Sequence, residues 1–166
     1  MDRTLRALAA DDLPGLHAVQ RACYGDGLLE SQAIFARRLA SPANCSLVIV
    51  QQGRVCAYLA AYRSRRGKVT PLHGDFEPTE PPDTLYLHDM AVHPDAAGQG
   101  LARQLLAAAW AQGQGLPMAA LVSVQGSQPY WARQGFALQA LDDAAQRARL
   151  ASYGADAVYM VRPLPC

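Results

Sequence analysis

The segment that most restricts the fold of this chain is residues 85–106, LYLHDMAVHPDAAGQGLARQLL. Its first eight residues, 85–92, are apolar enough for a buried strand, and beyond Gly100 apolar residues recur at helical spacing. The intervening turn consists mostly of proline, alanine and glycine. The pattern predicts a strand, a glycine turn and a helix to about Gln112, which together form the centre of a βαβ unit.

The two glycines of this turn indicate an anion-binding site. Gly98 and Gly100 can adopt a positive φ or let another group approach closely, and a helix N-terminus offers free N–H groups to a phosphate. A plain glycine-rich turn is the alternative. The P-loop pattern does not fit, because Leu101 and Ala102 stand where it needs lysine and a hydroxyl residue. A dinucleotide-binding fingerprint does not fit either, because Arg103 occupies its third small position.

The rest of the chain mixes helix and strand signals. We predict strands over 3–9, 45–62 (a hairpin), 117–124, 135–138 and 156–164, and helices over 11–25, 31–40, 127–134 and 142–154. Leu13, Leu16, Val19 and Cys23 are expected to form the buried stripe of the first helix, which Gly25 would end. Residues 63–83 form a loop long enough to suggest that it covers a site.

Composition narrows the class of protein. A chain of 166 residues with 51% hydrophobic side chains is expected to form one domain over residues 1–166. It has no apolar run of membrane-spanning length and no secretory signal, and its net charge of +1 argues against a nucleic-acid partner. The basic run 62–68 precedes an acidic, proline-rich stretch, which favours a solvated loop.

The cysteines are isolated in the sequence. None of Cys23, Cys45, Cys56 and Cys166 belongs to a CxxC pair or lies at metal-ligand spacing from a histidine. Small apolar residues in a reducing compartment are therefore expected rather than disulfides or a metal site. This agrees with a cytoplasmic protein.

Two segments resemble the GNAT superfamily of N-acetyltransferases: LHDMAVHPDAAGQGLARQLL and, further on, PYWARQGF. The resemblance implies an α+β (mixed α/β) fold, with a central, mostly antiparallel mixed sheet of about six to seven strands flanked by helices and a central βαβ acetyl-CoA-binding unit. It also implies transfer of an acetyl group from acetyl-CoA to a primary amine of a small molecule or peptide. We expect no metal, no nucleic acid, no membrane, and a monomer or homodimer.

The resemblance also implies which residues hold acetyl-CoA. The backbone of Met90, Ala91 and Val92 matches the strand that pairs with the pantetheine arm and donates to the thioester carbonyl. The pyrophosphate segment matches Ala97, Gly98, Gln99, Gly100, Leu101, Ala102 and Arg103. Ala97 departs from the glutamine or arginine of the family, so backbone donors, with Arg103 or Gln99, would carry that contact.

The catalytic assignments leave alternatives open. His88 and Asp89 interrupt the apolar strand, one on each face if the strand is regular. His88 is either the base, acting directly or through water, or a hydrogen-bonded core histidine; Asp89 is either structural or a base. Trp131 stands at the catalytic tyrosine position of the family and is expected to wall the CoA channel. Tyr130, one residue earlier, is then the candidate acid.

Tyr153 is a further candidate for the acid, its alternative being a helix-end aromatic that packs on the core. Two other functions share the predicted fold: an acyl-CoA sensor without turnover, and transfer of a longer acyl group. A nucleotide-binding α/β module is disfavoured, because the glycine turn fits neither of its motifs.

Overall fold

A seven-stranded mixed sheet forms the centre of the molecule, in the order β1-β2-β3-β4-β5-β7-β6. The computed structural model describes residues 2–24 and 26–165; Gly25, predicted to end the first helix, and Cys166 lie outside these ranges. The strands are β1 (Arg3–Ala7), β2 (Leu47–Gln51), β3 (Arg54–Ser64), β4 (Thr84–Val92), β5 (Met118–Ser123), β6 (Ala137–Leu138) and β7 (Val158–Pro163). Only β4 and β5 pair in parallel, so the predicted fold class is confirmed.

Helices cover both faces of the sheet. They are α1 (Leu13–Cys23), α2 (Gln32–Ala40), α3 (Leu101–Gln112), α4 (Gln128–Arg133) and α5 (Ala144–Ala151), with 3₁₀ turns at Ala10–Asp12, Asp26–Leu28 and Pro94–Ala96. Leucines of α3 pack into the core on one face, and α1 and α2 pack on the other. The strands of a parallel βαβ unit are buried on both sides in this way.

The buried stripe of α1 is partly as predicted. Leu13, Leu16 and Val19 are buried in the core beneath the helix. Cys23 does not belong to this stripe: it is exposed, and its thiol reaches the carbonyl oxygen of Val92 at 3.1 Å. The prediction for Cys23 was wrong because α1 ends at this residue, where the chain leaves the sheet.

A bulge interrupts β4 at His88. Asp89 pairs with Ala60 of β3 and Leu87 pairs with Ala61, so His88 has no partner on β3. An extra residue breaks the alternation of a strand, and both His88 and Asp89 therefore contact side chains on the α1–α2 face. The expectation of one residue per face held only for a regular strand, and β4 is not regular.

The same bulge exchanges the faces of the residues beyond it. Met90 and Val92 pack on the α3 face together with Leu85 and Leu87, whereas Ala91 joins the core on the α1–α2 face. The strand therefore remains covered on both sides, with its two ionisable groups collected on one.

β4 and β5 separate halfway along their length. Their parallel pairing runs from Thr84 and Met118 to Leu87 and Leu121 and does not continue. Beyond this point β4 runs on to Val92, paired only with β3. One edge of β4 is thus left open at the carboxyl end of the βαβ strands, where open α/β sheets bind ligands.

Residues 63–83 are fastened to the body of the protein. Lys68 is buried and donates to the Tyr62 hydroxyl (3.2 Å) and to the carbonyl of Glu77 (3.1 Å), and the N–H of Gly67 donates to the Tyr159 hydroxyl (2.8 Å). The expectation of a solvated basic loop over 62–68 holds for Arg65 and Arg66, which are exposed. It is wrong for Lys68, which turns inward, and for the start of the run, where β3 extends to Ser64.

No helix among the described residues is long and apolar enough to cross a membrane.

Candidate active site

A cleft of about 280 Å³ opens where β4 and β5 separate. One wall is β4, with Leu87, His88, Asp89 and Met90, and the other is β5 and the segment that follows it. The remaining lining residues are Tyr24, Leu28, Glu30, Leu72, Leu121, Val122, Val124, Gln125, Ser127, Tyr130, Trp131 and Tyr153. Leu72 comes from the long loop, so this loop contributes to the lining of the cleft.

The backbone of β4 is accessible in this cleft. Residues 88–90 are partly exposed, although the side chain of His88 is only 2% exposed. The exposed part of His88 is therefore its main chain. An open strand edge of this kind can exchange hydrogen bonds with an extended ligand.

The imidazole of His88 is held by an ion pair beneath it. Its Nε2 lies 2.9 Å from Oε1 of Glu30, and Arg38 donates to both oxygens of that carboxylate, at 2.8 and 2.6 Å. Burial raises the pKa of Glu30, but its interactions with His88 and Arg38 outweigh this effect and hold the pKa well below its usual range.

Aromatic rings enclose the other sides of His88. Phe76 and Tyr153 meet the imidazole edge-on, with ring centroids 5.6 and 6.3 Å away, and Tyr86 stacks at 6.4 Å. Nδ1 lies 3.4 Å from the hydroxyl of Tyr153, which itself donates to the carbonyl of Thr70 at 2.5 Å. His88 is therefore both a packed histidine and part of the cleft lining.

Asp89 accepts hydrogen bonds from two tyrosines. Tyr24 donates to Oδ1 at 2.8 Å and Tyr58 donates to Oδ2 at 2.5 Å. Burial raises the pKa of the Asp89 carboxyl, and the hydrogen bond from Tyr58 opposes that shift without cancelling it. Tyr24 also reaches the carbonyl of Met90 at 3.1 Å, which ties the cluster to the exposed β4 backbone.

Tyr130 and Trp131 form part of the opposite wall. Their rings meet edge-on at 5.0 Å, and Trp131 also contacts Phe136 edge-on at 5.6 Å, so the indole is held against the core. Among the described residues, the Tyr130 hydroxyl has no hydrogen-bond partner and remains free for a ligand. Burial raises the pKa of this phenol, and Arg133 offsets part of the shift.

The glycine turn follows the end of β4. Gly98 and Gly100 have φ of 81° and 75°, and a Cβ built on either would meet nothing within 4 Å, so the turn needs glycine for its backbone and leaves open space above it. The first helical amide with an acceptor is that of Gln104, which donates to the carbonyl of Gly100 (3.1 Å). The amides of residues 101–103 have no acceptor among the described residues, as at any helix start.

The side chains of the turn offer fewer contacts. Ala97 and Arg103 are exposed, and Gln99 accepts a hydrogen bond from Arg3 at 2.5 Å, which draws its amide toward β1. The free backbone amides are therefore the principal donors of this segment.

Not all the candidate residues line the cleft. The cleft collects His88, Asp89, Met90, Tyr130, Trp131 and Tyr153, whereas residues 97–103 lie beyond the end of β4 and outside the cleft lining. Ala91 is buried in the core on the α1–α2 face, so only its backbone could reach a ligand.

Sequence reasoning missed Glu30, Arg38, Tyr24 and Tyr58. Glu30 lies before a short helix and Arg38 lies within it, eight positions later. Charged residues at such positions are usually exposed, so nothing in the sequence was a reason to place them in the core. The only available signal was the presence of two ionisable residues inside an apolar strand, which required buried partners somewhere in the chain.

Within residues 2–24 and 26–165, no group of three or more His, Cys, Asp or Glu side chains could hold a metal ion.

A known protein family matches this chain over most of its length. The family described as Acetyltransferase (GNAT) family matches residues 13–136. The chain belongs to the GNAT acetyltransferase family. This confirms the resemblance seen in the two sequence segments. No curated protein matches the sequence significantly.

Solved structures of this family share the fold over nearly the whole chain. The ribosomal-protein-S18-alanine N-acetyltransferase from Escherichia coli superposes with a TM-score of 0.70 at 18% identity, covering 99% of this chain and 96% of its own. The N-acetyltransferase YhbS from Escherichia coli, in complex with CoA, gives 0.64 at 22% identity, covering 98% and 82%. The GphF GNAT-like decarboxylase, in complex with isobutyryl-CoA, gives 0.74 at 17% identity, covering 98% and 100%.

Proposed function

We propose that this GNAT protein is a single-domain enzyme that transfers an acetyl group from acetyl-CoA to a primary amine of a small molecule or peptide by direct attack. The observation that carries the proposal is the cleft between β4 and β5, which joins an exposed strand edge, a buried imidazole–carboxylate pair and a free phenol. Acetyl transfer to an amine needs a donor for the oxyanion, an acceptor for the amine proton and an acid for the thiolate.

The chain can hold acetyl-CoA through its backbone. The amides of residues 98–103 have no acceptor among the described residues, and the space above Gly98 and Gly100 is open, so this segment fits a pyrophosphate at a helix N-terminus. The open edge of β4 at Met90, Ala91 and Val92 fits the amide groups of the pantetheine arm and provides a main-chain N–H for the thioester carbonyl. Trp131 walls the channel between them.

His88 takes the proton from the attacking amine. A lysine-like amine has a pKa near about 10 and must lose a proton before it attacks. Glu30 and Arg38 hold the imidazole in place, and Glu30 provides the hydrogen-bond acceptor for Nε2. Asp89, with each oxygen occupied by a phenol, orders the cleft rather than accepting the proton.

Tyr130 donates a proton to the departing thiolate. Its hydroxyl lies in the wall opposite β4 and has no hydrogen-bond partner among the described residues, and its raised pKa keeps it protonated at neutral pH. The thiol of CoA has a pKa near about 8.5, so a phenol can supply this proton during the reaction.

A screen of primary amines tests the proposal. Wild-type protein is incubated with acetyl-CoA and a panel of amino acids, polyamines and peptides, and free thiol is measured. The proposal expects thiol release that depends on one class of amine. CoA binding by calorimetry without amine-dependent release would instead favour an acyl-CoA sensor. A preference for propionyl- or isobutyryl-CoA over acetyl-CoA would favour transfer of a longer acyl group.

A further inference from the structure

The carboxylate of Glu30 has no free acceptor position. Oε1 accepts from Nη1 of Arg38 (2.8 Å) and lies 2.9 Å from Nε2 of His88, while Oε2 accepts from Nη2 of Arg38 (2.6 Å) and from the backbone N–H of His73 (2.7 Å). A carboxylate has about four acceptor sites, and all are taken. Glu30 therefore cannot receive a substrate proton without losing one of these bonds.

This arrangement fixes which nitrogen of His88 carries a hydrogen. Burial alone would raise the pKa of Glu30, but its contacts with His88 and Arg38 lower this pKa by more than burial raises it. The carboxylate is therefore ionised and can only accept hydrogen bonds. Nε2 of His88 must therefore be the donor in its contact with Glu30. The basic lone pair of a neutral His88 then lies on Nδ1.

Among the described residues, Nδ1 of His88 has one hydroxyl group within hydrogen-bond distance. The Tyr153 hydroxyl lies 3.4 Å from Nδ1 and 2.5 Å from the carbonyl of Thr70, between two acceptors. Tyr153 is partly exposed in the cleft, whereas the side chain of His88 is 2% exposed. Tyr153 is thus the more exposed of the two residues, and its hydroxyl is the polar group next to Nδ1.

We propose that Tyr153 relays the amine proton from the cleft to Nδ1 of His88, and that Glu30 is the positioning residue that keeps this nitrogen free. The proposal rests on the proposed function and names the route of the proton in it. Before the attack, one proton of the substrate ammonium moves to the Tyr153 oxygen while the hydroxyl proton of Tyr153 moves to Nδ1. The neutral amine nitrogen then bonds to the thioester carbon, and the C–S electron pair leaves with the thiolate. The second proton lost by the nitrogen replaces the one that Tyr130 gives to the thiolate. Tyr153 ends as a neutral phenol and His88 as an imidazolium.

The geometry supports the product end of this transfer, and at the start of it the Tyr153 hydroxyl hydrogen turns from the Thr70 carbonyl to Nδ1. In the product state Nδ1–H can donate to the Tyr153 oxygen while the new Tyr153 hydrogen donates to Thr70, so every polar group has a partner. Burial raises the pKa of the Tyr153 phenol, which disfavours a free phenolate and favours the concerted exchange. The charged and titratable groups around the imidazole are Glu30, Arg38, Tyr86, Asp89 and Tyr153.

The activity of the Tyr153→Phe variant tests the relay, because this substitution keeps the ring and removes the hydroxyl. We expect kcat/KM to fall at least ~10-fold and the rise of kcat/KM with pH to weaken. Tyr159→Phe is the matched control, because it removes another buried phenol hydroxyl, bonded to Gly67, outside the cleft. In a His88→Ala background Tyr153→Phe should cost nothing further, since the two residues act in one step.

A measurement without substrate tests the relay independently of the proposed acetyltransferase activity. In protein labelled with ¹⁵N-histidine, NMR should show hydrogen on Nε2 of His88 in the wild type. In Glu30→Gln this tautomer should no longer be fixed, and hydrogen should also be found on Nδ1. A neutral His88 with hydrogen on Nδ1 and none on Nε2 would overturn the relay whatever the activity. The relay would also be overturned if the wild type is active and the Tyr153→Phe variant keeps more than a third of the wild-type kcat/KM. Failure of wild type to acetylate any amine, with the Nε2–H tautomer present, would overturn the proposed function.

Discussion

Nε2 of His88 lies 2.9 Å from Oε1 of Glu30, although the two residues are 58 positions apart in sequence. The contact joins the bulge of β4 to the segment before α2, beneath the cleft between β4 and β5. Arg38 completes it with two further hydrogen bonds. A histidine inside an apolar strand is thereby both stabilised and oriented.

The buried ion pair should dominate the stability of this region. Glu30→Gln leaves the charge of Arg38 unpaired inside the protein, where its side chain is 1% exposed, and should cost about 3–5 kcal/mol of unfolding free energy. Asp75→Asn is the matched control, because its bond to Arg37 is a surface ion pair worth less than about 1 kcal/mol. Urea unfolding at pH 7 measures both.

The stability difference between wild type and Glu30→Gln should also depend on pH. The pKa of Glu30 is lowered in the folded protein, so its contribution is present at neutral pH and is lost as pH falls below the usual range of a glutamate, about 4.3. The stability difference between wild type and Glu30→Gln should therefore shrink on acidification. A difference that stays constant or grows toward acid would contradict the ion pair.

The glycine turn should control CoA affinity. Gly100→Asp places a side chain and a negative charge at the proposed pyrophosphate site, and CoA binding measured by calorimetry should weaken by at least ~10-fold through clash and repulsion. Gly53→Asp is the control: Gly53 has the same φ of 75° and equally open surroundings, in the turn between β2 and β3. Equal CoA affinity in the two folded variants would show that the turn does not bind phosphate.

Loss of the imidazole should slow proton removal. His88→Ala should lower kcat/KM by roughly 10² to 10⁴-fold and should change the pH profile of kcat/KM. His17→Ala, on α1 and outside the cleft lining, serves as the control for losing a partly buried histidine. A loss of less than about threefold with an intact pH profile would leave His88 a packing residue only.

Tyr130 should matter for the leaving group and not for binding. Tyr130→Phe keeps the edge-on contact with Trp131 and removes the free hydroxyl, so kcat should fall ~10-fold or more with little change in KM for acetyl-CoA. The decline of rate at high pH should disappear as well. Turnover at the wild-type rate would exclude Tyr130 as the acid and leave water or Tyr153 to supply the proton.

Much of the fold could be predicted from local patterns. The hairpin between β2 and β3 turns at Gln52 and Gly53, both with positive φ, as the QQG segment indicates. The helix after Gly100 begins at Leu101 and ends at Gln112, where the apolar spacing ends. These features depend on periodicity and turn chemistry, which neighbouring residues determine.

The arrangement of the site could not be predicted in the same way. No glycine or proline marks the bulge at His88; the register of β4 against β3 creates it. The placement of Glu30 depends on α2 docking against the long loop, where the amide of His73 and the carbonyl of Gly74 bind the ion pair. Such contacts between distant segments leave no periodic pattern in the sequence.

Amine-dependent release of CoA, followed together with the acetylated product by mass spectrometry, tests the central claim most directly. The account predicts that wild-type protein forms one acetamide for each thiol released with at least one class of primary amine. It also predicts that Gly100→Asp loses this reaction and that Gly53→Asp retains it. Tight CoA binding with no acylated amine, across the amine panel and with both acetyl-CoA and longer acyl-CoA, would contradict the account.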